Sequence, residues 1–241
     1  MEIKIYKNKQ EVARQFSDYF LKLLQRYDEF HVALSGGSTP KIVFDVLASE
    51  FRDSIDWSTV HFYWGDERCV PPTDEESNYR MTHEHLFSKL KVPKANIHRI
   101  LGENEPQGEA FRYANLLEIN LDRIDEVPQF DLVILGMGDD GHTASIFPHE
   151  IDLWNADDHC VVATHPISGQ QRVSINGKVI NGSKEVAFLV TGKGKAEKVE
   201  QIHHKKQGSE KYPASLVHPV SGNLTWFLDQ DAASLLNPNL V

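Results

Sequence analysis

A wholly apolar run, Leu132 to Leu135, leads directly into a turn that holds three glycines within residues 136–141. Apolar residues at every position are typical of parallel strands covered on both faces, so this run constrains the fold strongly. Asp140 and His142 lie within the same turn. The segment therefore predicts a buried parallel strand whose carboxyl end presents an acid and a histidine.

The spacing of Gly136, Gly138 and Gly141 also matches the G-x-G-x-x-G pattern of dinucleotide-binding turns. That function requires an acidic residue at the end of the next strand, where it holds the ribose hydroxyl. The next strand candidate, Cys160 to Thr164, has its acids before it and is followed by His165. Nicotinamide binding is therefore the weaker alternative.

Strand and helix patterns alternate along the chain. Strands are predicted at Ile3–Tyr6, Phe30–Leu34, Val60–Trp64, Leu132–Leu135, Val161–Ala163, Val186–Val190 and Leu224–Leu228. Helices are predicted at Glu11–Gln25, Pro40–Ser49, Asn78–Leu90 and Gln107–Ile124. This alternation predicts an α/β fold with a doubly wound, mostly parallel, Rossmann-like sheet and helices on both faces. Because no repeat or linker interrupts the chain, residues 1–241 are expected to form a single domain.

Three loops that follow predicted strands carry chemically active side chains: Ser35–Thr39, Gly65–Arg68 and Gly136–His142. In a doubly wound sheet, ligands bind outside the carboxyl ends of the strands. We therefore expect the three loops to converge on one crevice.

The first of these loops has the composition of an anion-binding turn. Gly36 and Gly37 permit a tight turn, and Ser38 or Thr39 can cap the helix that follows. Free N–H groups at the start of a helix favour phosphate as a ligand. The alternative is a plain strand-to-helix turn, and the Gly-Lys-Ser/Thr sequence of a P-loop is missing.

The other two loops supply charges and an acid–base pair. Arg68 can clamp phosphate oxygens with its planar guanidinium, and Asp66 can hold a sugar hydroxyl or orient another side chain. His142 can take a proton from water near neutral pH, and Asp140 can fix its tautomer. The alternatives are a solvated charged turn and a helix-capping aspartate with a satisfied histidine.

Composition narrows the classes of function. The net charge of −10 argues against a nucleic-acid-binding surface but permits an anionic small molecule held by a few converging cations. No run approaches the roughly 18 apolar residues of a membrane span, and the N-terminus lacks the apolar stretch of a signal peptide. The 2 cysteines cannot build a disulfide framework. A cytoplasmic protein that does not act at a membrane is expected.

Patterns for metal sites and serine hydrolases are missing from the sequence. His83-x-His85 and His203-His204 lack the partner ligands and spacing of a zinc site. No Gly-x-Ser-x-Gly elbow is present either. The sequence therefore predicts neither a metal site nor a serine nucleophile.

The combined motifs resemble those of the 6-phosphogluconolactonase family over nearly the whole chain. They are Ala33–Pro40, Trp64–Pro72 with Ser77–Tyr79, Leu135–Pro148, Gln171–Ser174, Phe188–Gly192 with Lys195–Ala196, Pro213–Val217 and Thr225–Asp229. The resemblance implies a carboxylic ester hydrolase that converts 6-phospho-D-glucono-1,5-lactone to 6-phospho-D-gluconate, the second step of the oxidative pentose phosphate pathway. It also implies that no metal and no redox cofactor take part.

The resemblance further implies roles for individual residues. His142 is expected to activate water against the lactone carbonyl, with Asp140 as its aide. Contacts to the substrate, chiefly its phosphate or the oxyanion, are expected from Gly36, Gly37, Ser38, Thr39, Asp66, Arg68, Arg172 and Lys195. Without the resemblance, Arg172 and Lys195 are more simply surface charges. A monomer or small homo-oligomer is expected.

Two other functions share parts of this pattern. Glucosamine-6-phosphate deaminases carry a glutamate where this chain has Phe147, and typically a tyrosine where it has Arg68. Isomerisation with loss of an amine needs extra acid–base groups, so the lactonase is the better interpretation. A non-catalytic phosphosugar sensor could lose the histidine that this chain keeps as His142. The chain also has Asp139 where many lactonases have proline.

Overall fold

Strands and helices alternate through residues 1–237, which the computed structural model of the protein describes. The strands are β1 (Glu2–Tyr6), β2 (Phe30–Leu34), β3 (Val60–Trp64), β4 (Asp66–Arg68), β5 (Asp122–Ile124), β6 (Val127–Gln129), β7 (Leu132–Leu135), β8 (Cys160–Thr164), β9 (Gln171–Ile175), β10 (Glu185–Val190) and β11 (Leu224–Asp229). The helices are α1 (Lys9–Leu24), α2 (Ser38–Glu50), α3 (Asn78–His85), α4 (Pro106–Asn120), α5 (Gly177–Gly182) and α6 (Ala196–His203). Residues 238–241 of the predicted single domain lie outside the described residues.

A 6-stranded, fully parallel sheet forms the centre of the fold, in the order β1-β11-β10-β7-β2-β3. The chain passes from β2 outward to β3, and from β7 in the other direction through β10 to β11. The strand order therefore reverses between β2 and β7. Ligands of doubly wound folds bind in the crevice at such a reversal. The predicted doubly wound, mostly parallel sheet is confirmed.

Helices cover both faces of this sheet. On one face Phe16 of α1 packs edge-on against Phe227, with ring centroids 5.3 Å apart. On the other face Trp226 stacks on Phe188 at 3.9 Å and contacts His203 of α6 at 4.8 Å. Neighbouring strand residues point to opposite faces, which explains why Trp226 and Phe227 contact different helices. Within residues 1–237, no helix combines the length and the apolar character needed to cross a membrane.

Polar side chains fix the starts of several helices. Asn8 caps α1, Ser77 caps α3 and Glu105 caps α4, each by accepting a hydrogen bond from a backbone N–H of the first turn. Pro106 follows at the first position of α4, where its missing N–H costs nothing. These ends are therefore set by local sequence.

A 3-stranded antiparallel sheet, β4-β9-β8, extends from the carboxyl end of β3. Gly65 joins the two sheets, because its N–H donates to Leu34 O at 2.8 Å and its carbonyl accepts from Ile175 N at 2.9 Å. The prediction of a loop at Gly65–Arg68 is wrong, because Asp66–Arg68 form β4. Val161–Ala163 is a strand as predicted, within β8, but β8 belongs to this antiparallel sheet and not to the parallel one. A strand of 3 residues has no periodicity to identify it.

Other differences from the predicted elements also have local causes. The helix predicted to reach Ile124 ends at Asn120, and β5 and β6 then form a hairpin. Asp125 and Glu126 have positive φ of 47° and 66°, the backbone that a tight hairpin turn requires. Helix α3 ends at His85, well before the predicted end. Helices α5 and α6 contain only 6 and 8 residues, too few for apolar periodicity to identify them.

Three histidine rings stack near the starts of β2 and β3. The ring centroids of His31 and His61 are 4.8 Å apart, and those of His61 and His98 are 5.5 Å apart. Burial, reinforced by His61 and His31, lowers the pKa of His98 to about 4. Burial and His61 also lower the pKa of His31, against the attraction of Asp131. The folded protein therefore resists protonation of His31 and His98.

We expect the free energy of unfolding to fall as the pH is lowered from 7 to 5. An unfolded histidine takes up a proton near pH 6.5, whereas folded His98 does so only near pH 4. The unfolded state then binds more protons in this window, and acid favours it. Urea midpoints across this range measure the effect. His98 also stacks on Tyr63, with ring centroids 4.4 Å apart, a contact that a phenylalanine can keep. The His98→Phe variant should therefore lose less stability than the natural chain over this pH range; equal losses would contradict this assignment.

Candidate active site

The loops after β2, β3 and β7 meet at a cavity of about 180 Å³ where the strand order reverses. The cavity is lined by Ser35, Gly36, Gly37, Asp66, Arg68, Asn78, Gly136, Met137, Gly138, His142, Ala144 and Arg172. The lining includes the predicted site residues Gly36, Gly37, Asp66, Arg68, His142 and Arg172, but not Ser38, Thr39, Asp140 or Lys195. Residues from distant parts of the sequence therefore share one crevice.

Asp140 and His142 form one hydrogen-bonded unit. Oδ1 of Asp140 accepts from Nδ1 of His142 at 2.6 Å and from the backbone N–H of His142 at 3.1 Å. Burial alone would raise the pKa of Asp140, but the hydrogen bond and charge of His142 outweigh burial and lower it to about 2. The ionised carboxylate keeps a proton on Nδ1, which leaves Nε2 as the acceptor. Asp140 thus orients the ring and also braces the backbone of the turn.

Residues 136–142 are called the Asp–His turn. Two glycines in this turn make room for the Asp140–His142 pair. The N–H of Gly138 donates to His142 O at 2.9 Å. A Cβ at Gly138 would overlap the His142 ring and crowd the Asp140 carboxylate, so only glycine fits beneath the pair. Gly141 has φ +86° and packs closely against Tyr212, which excludes a side chain there as well.

Arg68 and Arg172 lie opposite each other in the β4–β9 pair. Arg68 Nη1 donates to Glu76 O, and Arg172 Nη1 lies 3.5 Å from Ser145 Oγ. In the described part of the chain, Nε of each arginine is buried without a partner. Burial lowers the pKa of Arg172, and Arg68 lowers it further against the attraction of Asp66. Two neighbouring cations with unused donors make a site suited to an anion.

Buried Glu67 braces the wall behind these cations. Its carboxylate accepts from Ser77 Oγ at 3.0 Å and from the backbone N–H of Asn78 at 2.7 Å. Burial raises its pKa, while the backbone hydrogen bonds act in the opposite direction. Asn78 in turn donates to Asp66 O at 2.9 Å, and its amide packs where a Cβ of Gly36 would lie. Glu67 was not among the predicted site residues, because a charged run normally indicates a solvated turn.

Ser145 is a second residue that sequence reasoning missed. Its hydroxyl donates to Asp66 Oδ2 at 2.6 Å, and its N–H donates to Ser174 Oγ at 3.1 Å. Because Ser145 also approaches Arg172, it links the buried carboxylate to the buried cation. Asp66 and Ser145 are 79 positions apart, and no local pattern identifies such a pair.

The start of α2 differs from its predicted form. Gly37, with φ +109°, occupies the capping position, and no side chain caps the helix. The prediction that Ser38 or Thr39 caps α2 is therefore wrong. Ser38 is exposed, and the Thr39 hydroxyl lies 2.8 Å from Thr191 Oγ1. The N–H groups of a first turn still have no partners inside a helix, so backbone donors remain at this edge.

Lys195 lies beside the Asp–His turn but does not line the cavity. Its Nζ is 2.5 Å from Oδ1 of Asp139, whose side chain is 85% exposed. Asp139 is therefore engaged by a lysine. Lys195 could reach a substrate only by giving up this ion pair.

Two histidines away from the cavity lie beside carboxylates. His85 Nδ1 lies 2.9 Å from Asp45 Oδ1, and His204 Nδ1 lies 3.2 Å from Glu200 Oε1. Across residues 1–237, no group of three or more His, Cys, Asp or Glu side chains is arranged to hold a metal ion.

The chain is similar to known proteins over most of its length. The model of the family described as glucosamine-6-phosphate isomerases/6-phosphogluconolactonase matches residues 7–226. A 6-phosphogluconolactonase of Aggregatibacter actinomycetemcomitans is 43% identical, over 94% of this chain and 96% of its own.

Solved structures extend this similarity. The crystal structure of a devB protein has a TM-score of 0.93 and 46% identity, over 98% of this chain and 99% of its own. A monomeric glucosamine-6-phosphate deaminase has a TM-score of 0.82 and 20% identity, over 98% of this chain and 100% of its own. At that identity the likeness concerns the fold alone.

We expect inorganic phosphate to bind this cavity and raise the melting temperature, because a ligand of the folded state stabilises it. Arg172→Gln removes one cation and should weaken phosphate binding by about tenfold, the equivalent of one charge-assisted hydrogen bond. Thermal shifts at constant ionic strength measure the affinity. Arg123→Gln is the control, because Arg123 pairs with Glu118 and Glu126 outside the cavity. Equal phosphate affinity in Arg172→Gln and the natural chain would rule out Arg172 as an anion contact.

Proposed function

Because the chain belongs to the glucosamine-6-phosphate isomerase/6-phosphogluconolactonase family, we propose that it hydrolyses 6-phospho-D-glucono-1,5-lactone to 6-phospho-D-gluconate. This is the second step of the oxidative pentose phosphate pathway, catalysed by a carboxylic ester hydrolase. One observation carries the proposal: the Asp140–His142 hydrogen bond of 2.6 Å lies at a cavity lined by two arginines with unused donors. A general base that lies beside an anion-binding site is suited to the hydrolysis of a phosphorylated ester.

His142 acts as the general base in this proposal. Nε2 takes a proton from a water molecule, whose oxygen attacks the lactone carbonyl carbon. Asp140 stabilises the imidazolium that forms, because it stays ionised and hydrogen-bonded to Nδ1. The tetrahedral intermediate then collapses, the bond to the ring oxygen breaks, and the proton on Nε2 passes to that oxygen. The product is an open-chain carboxylic acid with a free hydroxyl, so all atoms and charges balance.

Arg68 and Arg172 hold the substrate phosphate in this proposal. Both have donors that no protein acceptor uses in the described residues, and phosphate oxygens match a guanidinium in geometry and charge. Asp66 acts through Ser145, which approaches Arg172. Backbone groups of Gly36, Gly37, Ser38 and Thr39 supply further donors, and Lys195 contributes after release from Asp139.

Several parts of the proposal rest on the sequence alone. They are a single domain over residues 1–241, a cytoplasmic location, a monomeric or small homo-oligomeric state, and catalysis without a metal or redox cofactor. The composition, the 2 cysteines and the lactonase resemblance support them. The partner is a small phosphosugar lactone rather than a nucleic acid.

Phe147 supports hydrolysis over the deaminase reaction. Its ring is fully buried and lies 4.6 Å from the His142 ring, at the position where deaminases carry a glutamate. An apolar wall there supplies no third acid–base group, which isomerisation would need. Hydrolysis requires only an activated water and stabilisation of the oxyanion.

The activity is tested by forming the lactone in situ from glucose-6-phosphate and following its disappearance. The lactone also opens spontaneously, so a protein-free reaction is run beside it. His142→Ala and Asp140→Asn should each lower kcat by about 10²–10⁴-fold, through loss of the base or of its correct tautomer. Binding of 6-phosphogluconate should change little. His149→Ala is the matched control, because His149 is exposed and outside the cavity.

The outcomes separate the alternatives. Loss of binding in proportion to rate in His142→Ala would remove the assignment of His142 as base. No acceleration by the natural chain would reject the lactonase, and ammonia release from glucosamine-6-phosphate would then identify a deaminase. Failure in both assays, with phosphosugar binding retained, would leave a sensor.

Gly138→Ala should separate geometry from chemistry in the same assay. The added Cβ overlaps the His142 ring and crowds the Asp140 carboxylate, so the pair must shift. A displaced base costs about 10²-fold in kcat, although every acid–base group is still present. Gly194→Ala is the control, because its Cβ would meet no atom within 4 Å. A fully active Gly138→Ala variant would show that catalysis does not need this hydrogen bond.

A further inference from the structure

A second cavity lies between α6, residues 205–218 and β11. Its volume is about 400 Å³, and it shares no lining residue with the cavity at the Asp–His turn. Its apolar lining residues include Ile202, Ala214, Leu216, Val217, Leu224 and Trp226. This size lies within the range of small-molecule sites.

Polar atoms without partners are concentrated in the lining residues of this cavity. Apart from Trp64 Nε1, the buried side-chain N and O atoms that lack a hydrogen bond within residues 1–237 fall in two places. One is the arginine pair of the first cavity. The other comprises Nδ1 and Nε2 of His203, Oγ of Ser215 and Nε1 of Trp226, and all three residues line the second cavity. Buried polar groups normally have partners, so such a cluster indicates a missing one.

The three side chains define what that partner must offer. Burial, reinforced by His204, lowers the pKa of His203 to about 4, so its neutral ring has one donor and one acceptor. Trp226 can only donate, and Ser215 can do both. A suitable ligand therefore carries hydrogen-bond acceptors and at least one N–H or O–H donor.

Shape and charge restrict the ligand further. Phe188 already stacks on Trp226 at 3.9 Å, and His203 lies edge-on to it, so aromatic rings shape this region. At the rim, Lys206 is 2.6 Å from Glu200, and the other two charged lining residues, Lys205 and Glu210, are exposed to water and opposite in sign. A charged group bound beside neutral His203 would lack a counter-ion, which is costly away from water.

We propose that this cavity binds a neutral, planar heteroaromatic molecule of nucleobase size through His203, Ser215 and Trp226. The apolar wall covers the faces of the ring. Ring nitrogens accept from Trp226 and Ser215, and a ring-edge donor pairs with the acceptor nitrogen of His203.

The probe is 2-aminopurine, whose fluorescence changes when it stacks on aromatic side chains. It is titrated into the natural chain without lactone, so the result does not depend on the proposed enzymatic activity. We expect saturable binding with one site per chain. His203→Phe keeps a flat ring but removes both nitrogens, and should weaken binding at least about tenfold, the equivalent of one hydrogen bond.

His204→Phe is the matched control. His204 neighbours His203 on the chain, pairs with Glu200 and does not line the cavity, so this variant should bind as the natural chain does. Ser215→Leu, which fills the cavity from another segment, should also lose binding. Melting curves verify that each variant is folded. If the His203→Phe variant does not fold, the Ser215→Leu result decides.

Two results would overturn the proposal. The first is the absence of saturable binding to the natural chain, with a higher melting temperature in His203→Phe; the cluster would then be a packing defect whose removal stabilises the fold. The second is equal binding in the natural chain, His203→Phe and Ser215→Leu, which would place the probe elsewhere on the surface.

Discussion

Parallel pairing places the carboxyl ends of β2, β3 and β7 at one edge of the sheet, and the candidate site depends on that arrangement. Because β2 and β7 are neighbours whose onward connections diverge, their last residues border an open crevice. Gly138 then lets the chain fold back so that His142 lies over it, held by Asp140. Without the strand-order reversal there would be no crevice at this edge of the sheet, and Asp140 and His142 would face solvent.

The antiparallel β4–β9 pair adds the second requirement, a concentration of positive charge on an acidic protein. Holding Arg68 opposite buried Arg172 costs free energy, since both desolvation and mutual repulsion oppose it. The attraction of Asp66 offsets part of that cost, and Glu67 holds the backbone that carries Arg68. A bound phosphate would offset more of it. In the proposed function, part of the cost of holding the two cations together is therefore recovered when the substrate phosphate binds.

The sequence predicted those elements whose signals are local. Leu132–Leu135 and Val60–Trp64 were predicted with their observed bounds, because apolar residues end there at glycine. The β4–β9 pairing and the Ser145–Asp66 hydrogen bond could not be predicted, because each joins residues that are far apart in the sequence. The prediction that Thr39 caps α2 failed for a related reason: its hydroxyl lies 2.8 Å from that of Thr191, which follows β10, two strands away in the sheet. The chemical roles of the arginines and of His142 stay predictions.

The two cavities share no lining residue, yet the segment of Ala214 and Ser215 connects the second cavity to the Asp–His turn. The N–H of Ala214 donates to the carbonyl of Gly141 at 3.1 Å, and Gly141 lies between Asp140 and His142 in the chain. Ser215, the next residue, lines the second cavity. Any shift of this segment therefore acts on the backbone that holds the acid–base pair. A ligand of the second cavity can alter the first cavity only if it binds more tightly to one position of this segment than to another. The Gly141–Ala214 hydrogen bond is the contact that would then carry the change to the Asp–His turn.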